Sequence, residues 1–134
     1  PVTEFKQKLW DLLDDMADTM YEAEGVGLAG PQVGYLRRVF VIDVGEGIVE
    51  FINPEILETS GEQDGNEGCL SFPGEYGMVK RPNYVKMRAQ DRNGNWFEVE
   101  GTELFARAMC HENDHLDGVV FKERAYRMLN PDEY

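Results

Sequence analysis

His111 and His115, the two histidines of the chain, stand four residues apart in the run His111-Glu112-Asn113-Asp114-His115. On a helix, residues at that spacing share one face with Cβ atoms about 5–6 Å apart, so both imidazoles can reach a single metal ion. Glu112 falls beside that face, where a carboxylate touches a metal-held water without being a ligand. A catalytic metal site needs a third protein ligand and an open position. No third histidine exists, so that ligand is a thiolate or a carboxylate. Cys69 is favoured: it lies in Glu67-Gly68-Cys69-Leu70-Ser71, beside a glycine that lets backbone come close. Glu123, eight residues past His115, is the carboxylate competitor. Cys110 neighbours His111 but points about 100° round the helix, and reads as a small buried apolar residue.

A third piece is Gly25-Val26-Gly27-Leu28-Ala29-Gly30-Pro31-Gln32. It lacks the Lys-Ser/Thr of a phosphate-binding loop and follows a helix instead of a strand. Gln32, set after Pro31 in a rigid turn, carries an amide N–H able to donate to an oxyanion. The residues alone leave three readings open. One is amide hydrolysis at a Cys-His-His metal. The second is an H-E-x-x-H endopeptidase, which calls for a ligand such as Glu123. The third is a closed structural metal site, for which Cys110 is the spare thiol.

Elements of both kinds must position these groups. Phe5, Leu9, Leu12, Leu13, Met16 and Met20 recur at helical spacing and predict a helix over 4–24, capped by Thr3 and stopped by Gly25. The stretch 35–44 (YLRRVFVIDV) reads as a strand, 45–47 as a turn and 48–53 as the next strand. Glycines at 65, 68, 74 and 77 with Pro73 give a loop over 62–77. Residues 84–90 alternate as a half-buried strand, and Asn93-Gly94 predicts a hairpin into 96–100. A second helix over 102–116 carries the histidines, stopped by Gly118 and followed by a short polar tail. The fold class is α+β: antiparallel strands packed around a central metal-binding helix, plus an N-terminal helix.

The chain has 134 residues, 26 acidic and 13 basic, for a net charge of −13. That length fits one domain, 1–134, and 42% hydrophobic residues exclude a disordered chain. The acidic balance disfavours sequence-independent binding to DNA or an anionic membrane surface. With two cysteines and no recognisable signal segment, free thiols or metal ligation are expected over a disulfide.

Taken together and in order, G-x-G-L-A-G-P-Q at 25–32, E-G-C-L-S at 67–71 and H-E-x-D-H at 111–115 closely resemble the three signature motifs of peptide deformylases. The resemblance runs from Pro1 through Phe121 and looks like the compact bacterial type. Gly30 replaces the usual second alanine, Cys110 replaces a frequent glutamine, and the family's N-terminal segment is expected to be absent. The resemblance implies Cys69, His111 and His115 as ligands of one divalent metal ion. Ferrous iron is the family's metal, with zinc, nickel or cobalt able to substitute. It implies hydrolysis of the formyl group from N-formylmethionyl nascent polypeptides, with formate released. Metal-bound hydroxide would attack the formyl carbon, and Glu112 would be general base, then acid. Gln32 and the Leu70 backbone N–H would stabilise the oxyanion. Gly27 and Gly68 would pair with the substrate main chain, while Val26, Leu104 and Ala108 would line a methionine pocket with Arg107's stem at its rim. A Glu24–Arg81 pair would brace the first loop. The expected setting is the bacterial cytoplasm, near the ribosomal exit tunnel, with no DNA or membrane partner.

Overall fold

The computed structural model describes residues 2–34, 37–69, 72–119 and 121–129. Helix α1 (Gln7–Glu22) buries Leu9, Leu13, Met16 and Met20 and leaves Asp11, Asp14, Asp15 and Asp18 in water. Thr3 does not cap it, because the helix begins four residues later, behind Lys6. At its other end the Glu24 N–H bonds the Tyr21 carbonyl and the Gly25 N–H bonds the Met20 carbonyl. That paired closure puts the left-handed position on Glu24 (φ +57°), one residue before the glycine expected to supply it.

Two antiparallel sheets follow. The first runs β1 (Gly27–Ala29), β2 (Val39–Ile42), β3 (Val49–Ser60), β6 (Tyr84–Gln90), β7 (Trp96–Thr102), in that order across the sheet. The second runs β4 (Gln63–Cys69), β5 (Phe72–Arg81), β8 (Ala125–Met128). The apolar run of β2 is buried at every position because the sheet is covered twice. Val39 and Val41 pack with α1, whereas Phe40 and Ile42 pack with Met109 and Ala106 of α2 (Glu103–Leu116). The alternation of β6 holds, with Val85, Met87 and Ala89 in the core. The turn at Asn93-Gly94 occupies a five-residue connection, with Gly94 at φ +87°. Gly118 ends α2 as expected, at φ +78°.

Two expectations fail. The loop expected over 62–77 is instead largely strand: positions 70 and 71 lie outside the described residues, and residues 63–69 and 72–77 lie in β4 and β5, which pair with each other. Their glycines serve close packing: a Cβ at Gly68 would lie 2.6 Å from the Tyr76 ring, and one at Gly77 2.8 Å from Met128 Sδ. The polar tail likewise contains a short helix, α3 (Phe121–Arg124), and β8, which pairs with β5. The strand expected over 35–44 begins at Val39, and positions 35 and 36 lie outside the described residues.

The result is α+β, with α2 packed against strands of both sheets. Among the described residues no helix is long and apolar enough to cross a membrane.

Candidate metal centre

Helix α2 sets His111 and His115 one turn apart, with their Nε2 atoms 3.3 Å from each other. Cys69 arrives from the end of β4, where the pairing with β5 slips between Gly68 and Cys69. A slip of that kind re-aims the side chain that follows it. Its Sγ lies 3.2 Å from His115 Nε2, and one donor atom from each of the three residues falls within 4.8 Å of the others. A thiolate with two imidazoles is a donor set for late first-row divalent ions and zinc. Cys110 is buried at about the exposure of His115, takes no part in this cluster, and has a thiol pushed up to about 11 by burial. Glu123 is exposed on α3 and also outside it.

Gln32 comes from the one-turn 3-10 segment Gly30–Val33. Its Oε1 accepts the Ala29 N–H at 2.9 Å, which fixes the amide so that Nε2 donates to Cys69 Sγ at 3.3 Å. Glu112 is only 5% exposed, and its Oε1 has no hydrogen-bond partner among the described residues. Burial outweighs the attraction of His111 and His115 and pushes its carboxyl up to about 7. A Cβ at Gly27 would sit 2.7 Å from Glu112 Oε2, so any side chain there displaces the carboxylate.

Sequence reasoning missed the group behind the histidine. Glu67 Oε1 accepts from His111 Nδ1 at 2.8 Å and from Arg81 Nη2 at 3.0 Å. Glu67 Oε2 accepts from Arg81 Nε at 3.0 Å and from Arg107 Nη1. Burial alone would raise this carboxyl, yet the hydrogen bonds from His111 and Arg81 hold it down to about 2. A proton kept on His111 Nδ1 by that carboxylate leaves the lone pair on Nε2, facing Cys69 and His115. Burial would also lower His111, but hydrogen bonds to Cys69 and Glu67 raise it to about 10, so a cation at this site competes with a proton. Arg81 reaches on to Asp114 Oδ2 at 2.6 Å, and Asp114 also accepts from Arg124. The signal available was a carboxylate two residues before Cys69 and another inside the histidine run.

Arg81 is therefore committed to Glu67 and Asp114, and the expected pair with the exposed Glu24 does not form. The Arg107 guanidinium is bound by Glu67 and by the Val79 carbonyl.

A cleft of about 570 Å³ opens in front of this cluster. Val26, Gly27, Gly68, Leu104 and Ala108, expected to contact a substrate, all line it, together with Gln32, Cys69, His111 and Glu112. Leu70 lies outside the described residues. Gly27 belongs to an edge strand of the first sheet and Gly68 to an edge strand of the second, so two strand edges border the same opening.

Comparisons with known proteins identify the family. A model of the Polypeptide deformylase family matches residues 1–130. The peptide deformylases of Agathobacter rectalis and of Caldanaerobacter subterraneus are each 57% identical over 133 residues, covering 99% of this chain and 84% of theirs. The crystal structure of the Thermotoga maritima peptide deformylase superimposes with TM-score 0.92 at 44% identity, over 93% of this chain and 86% of that one. A Synechococcus elongatus peptide deformylase in complex with actinonin gives TM-score 0.90 at 39% identity, over 92% and 71%. With a family match over nearly its whole length, this chain belongs to the polypeptide deformylases, a family of hydrolases.

Proposed function

We propose that residues 1–134 form one catalytic domain that hydrolyses the formyl amide of N-formylmethionyl nascent polypeptides and releases formate. Family membership supports removal of an N-formyl group from nascent peptides by a metal-dependent hydrolase. The observation that carries the finer reading is the convergence of Cys69, His111 and His115 beside the buried, unpartnered Glu112 Oε1. Those three side chains would hold the cation; ferrous iron is the ion the family implies, and the donors equally accept zinc, nickel or cobalt. When bound, a divalent ion there supplies a Lewis acid and brings the pKa of water toward neutrality.

The remaining work falls to the chain's own groups. Glu112 Oε1 takes a proton from the attacking water and returns it to the amine nitrogen of the departing peptide. Gln32 Nε2 donates to the oxygen on which negative charge develops, joined in this reading by the Leu70 N–H. The substrate main chain lies extended between the edges of β1 and β4, adding a strand through Gly27 and Gly68. Its methionine side chain enters the cleft beside Val26, Leu104 and Ala108. Nascent chains emerge at the ribosomal exit tunnel, so encounter there, in the cytoplasm, belongs to the same proposal.

Formate release from a formyl-methionyl tripeptide, measured on protein of quantified metal content, tests this reading. Rapid release with intact internal peptide bonds supports it. Cleavage of internal bonds, or no release at one metal per chain, overturns it.

Two variants probe the parts. Cys69→Ser is expected to lose the intense thiolate-to-cobalt absorption on Co2+ titration, whereas Cys110→Ser keeps it; equal spectra would transfer the ligand role away from Cys69. Gly27→Ala is expected to lower turnover by about 10²-fold at unchanged metal content, since the new methyl group displaces the Glu112 carboxylate. Wild-type turnover in Gly27→Ala would show that the carboxylate position is not critical.

A further inference from the structure

The cleft wall contains a cation for which the proposed chemistry has no use. Arg107 lies on the α2 face that carries Leu104 and His111, three residues past the first and four before the second, and it lines the cleft with them and with Ala108. An arginine there should turn the pocket for an apolar side chain positive. It does not, because the guanidinium is drawn away into the second sheet. Nη1 donates to Glu67 Oε2, Nη2 to the Val79 carbonyl at 3.2 Å, and Nε to Gln63 Oε1 at 3.3 Å. The residue is 7% exposed.

Space for the guanidinium exists because position 65 has no side chain. A Cβ on Gly65 would lie 2.6 Å from Arg107 Nη2 and 2.7 Å from Cζ, distances that force the group to move. Gly65 sits inside β4 with no positive φ, so its backbone does not need glycine for conformational reasons. What its missing side chain provides is room for the planar head of Arg107.

Building on the deformylase reading, we propose that Gly65 and Glu67 latch the Arg107 guanidinium into the sheet, leaving its methylene stem as the wall against which the formylated residue packs. Arg107 is thus a specificity-determining residue. Latched, it presents hydrocarbon sized for an unbranched thioether side chain. Unlatched, it presents a desolvated charge, which an apolar side chain cannot satisfy and an acidic one can.

The test is a substrate series, formyl-Met, formyl-Phe, formyl-Ala and formyl-Glu on a common Ala-Ser tail, with kcat and KM from formate release and metal content measured for each protein. Arg107→Ala, which removes the stem, should raise the formyl-Phe to formyl-Met ratio of kcat/KM by ~10-fold or more. Arg107→Met, which restores an unbranched stem, should return the ratio to the wild-type value. Gly65→Ala should raise KM for formyl-Met by ~10-fold relative to formyl-Ala and favour formyl-Glu. A merely structural role scales all four substrates together, so unchanged ratios in the Arg107 pair overturn the latch, whether or not Gly65→Ala folds. Wild-type protein that releases no formate from formyl-Met overturns the functional reading and the latch with it. Wild-type release with unchanged ratios overturns the latch alone.

Discussion

Glu112→Gln is expected to bind its metal normally while formate release falls by ~10²–10⁴-fold, the usual contribution of a positioned proton-transfer group. The same variant should melt at a higher temperature than the wild type. Both expectations come from one observation. Glu112 is buried to 5% exposure, and among the described residues its Oε1 has no hydrogen-bond partner. An unpaired carboxylate in such a place weakens the fold, since it has left water without compensation. Compare Glu67, equally buried but surrounded by four donors. A carboxylate kept for structure is paired like Glu67; one kept for moving protons leaves an oxygen unpaired beside the cleft. The glutamine has the same shape, so it keeps the contact with Gly27 and leaves Cys69, His111 and His115 undisturbed. Turnover within tenfold of wild type would assign the proton transfer elsewhere. Loss of metal would mean that Glu112 supports the ligand cluster instead.

What could be read ahead of the structure divides along local and non-local lines. The histidine pair was legible because i and i+4 on a helix are a local relation, and α2 realises it. Leu9, Leu13, Met16 and Met20 marked the buried face of α1 for the same reason. The strands 63–69 and 72–81 were not legible, because glycine is ambiguous. It signals a turn when φ is positive, as at Gly94 and Gly118, and close packing when φ is not, as at Gly65 and Gly68. Which meaning applies depends on a neighbour such as Arg107, 42 positions from Gly65 in sequence. The ion-pair network was hidden in the same way. Arg81 meets Glu67 across 14 positions and Asp114 across 33. The family resemblance offered Glu24 as its partner, but Glu24 is exposed and stays in water, while burial left Glu67 and Asp114 needing a cation.

That network makes Glu67→Gln the second variant of large effect. Removing its charge strands two guanidiniums in the interior, and breaking a buried pair typically costs about 3–5 kcal/mol. Arg81 retains Asp114, so the loss should fall at the lower end of that range, as a drop in denaturation midpoint at constant slope. Metal affinity should fall by a further ~10–100-fold, because His111 loses the acceptor that fixes its tautomer and ring orientation. Asp114→Asn separates the two effects. Asp114 pairs with Arg81 and Arg124 and makes no hydrogen bond to either histidine side chain among the described residues, so its loss should destabilise the fold with little change in cobalt affinity. If both variants lose affinity in proportion to stability, the carboxylate at 67 serves only to neutralise the arginines. Affinity lost by Glu67→Gln alone, at matched stability, would show that a carboxylate sequence reasoning overlooked sets the metal centre's geometry through His111.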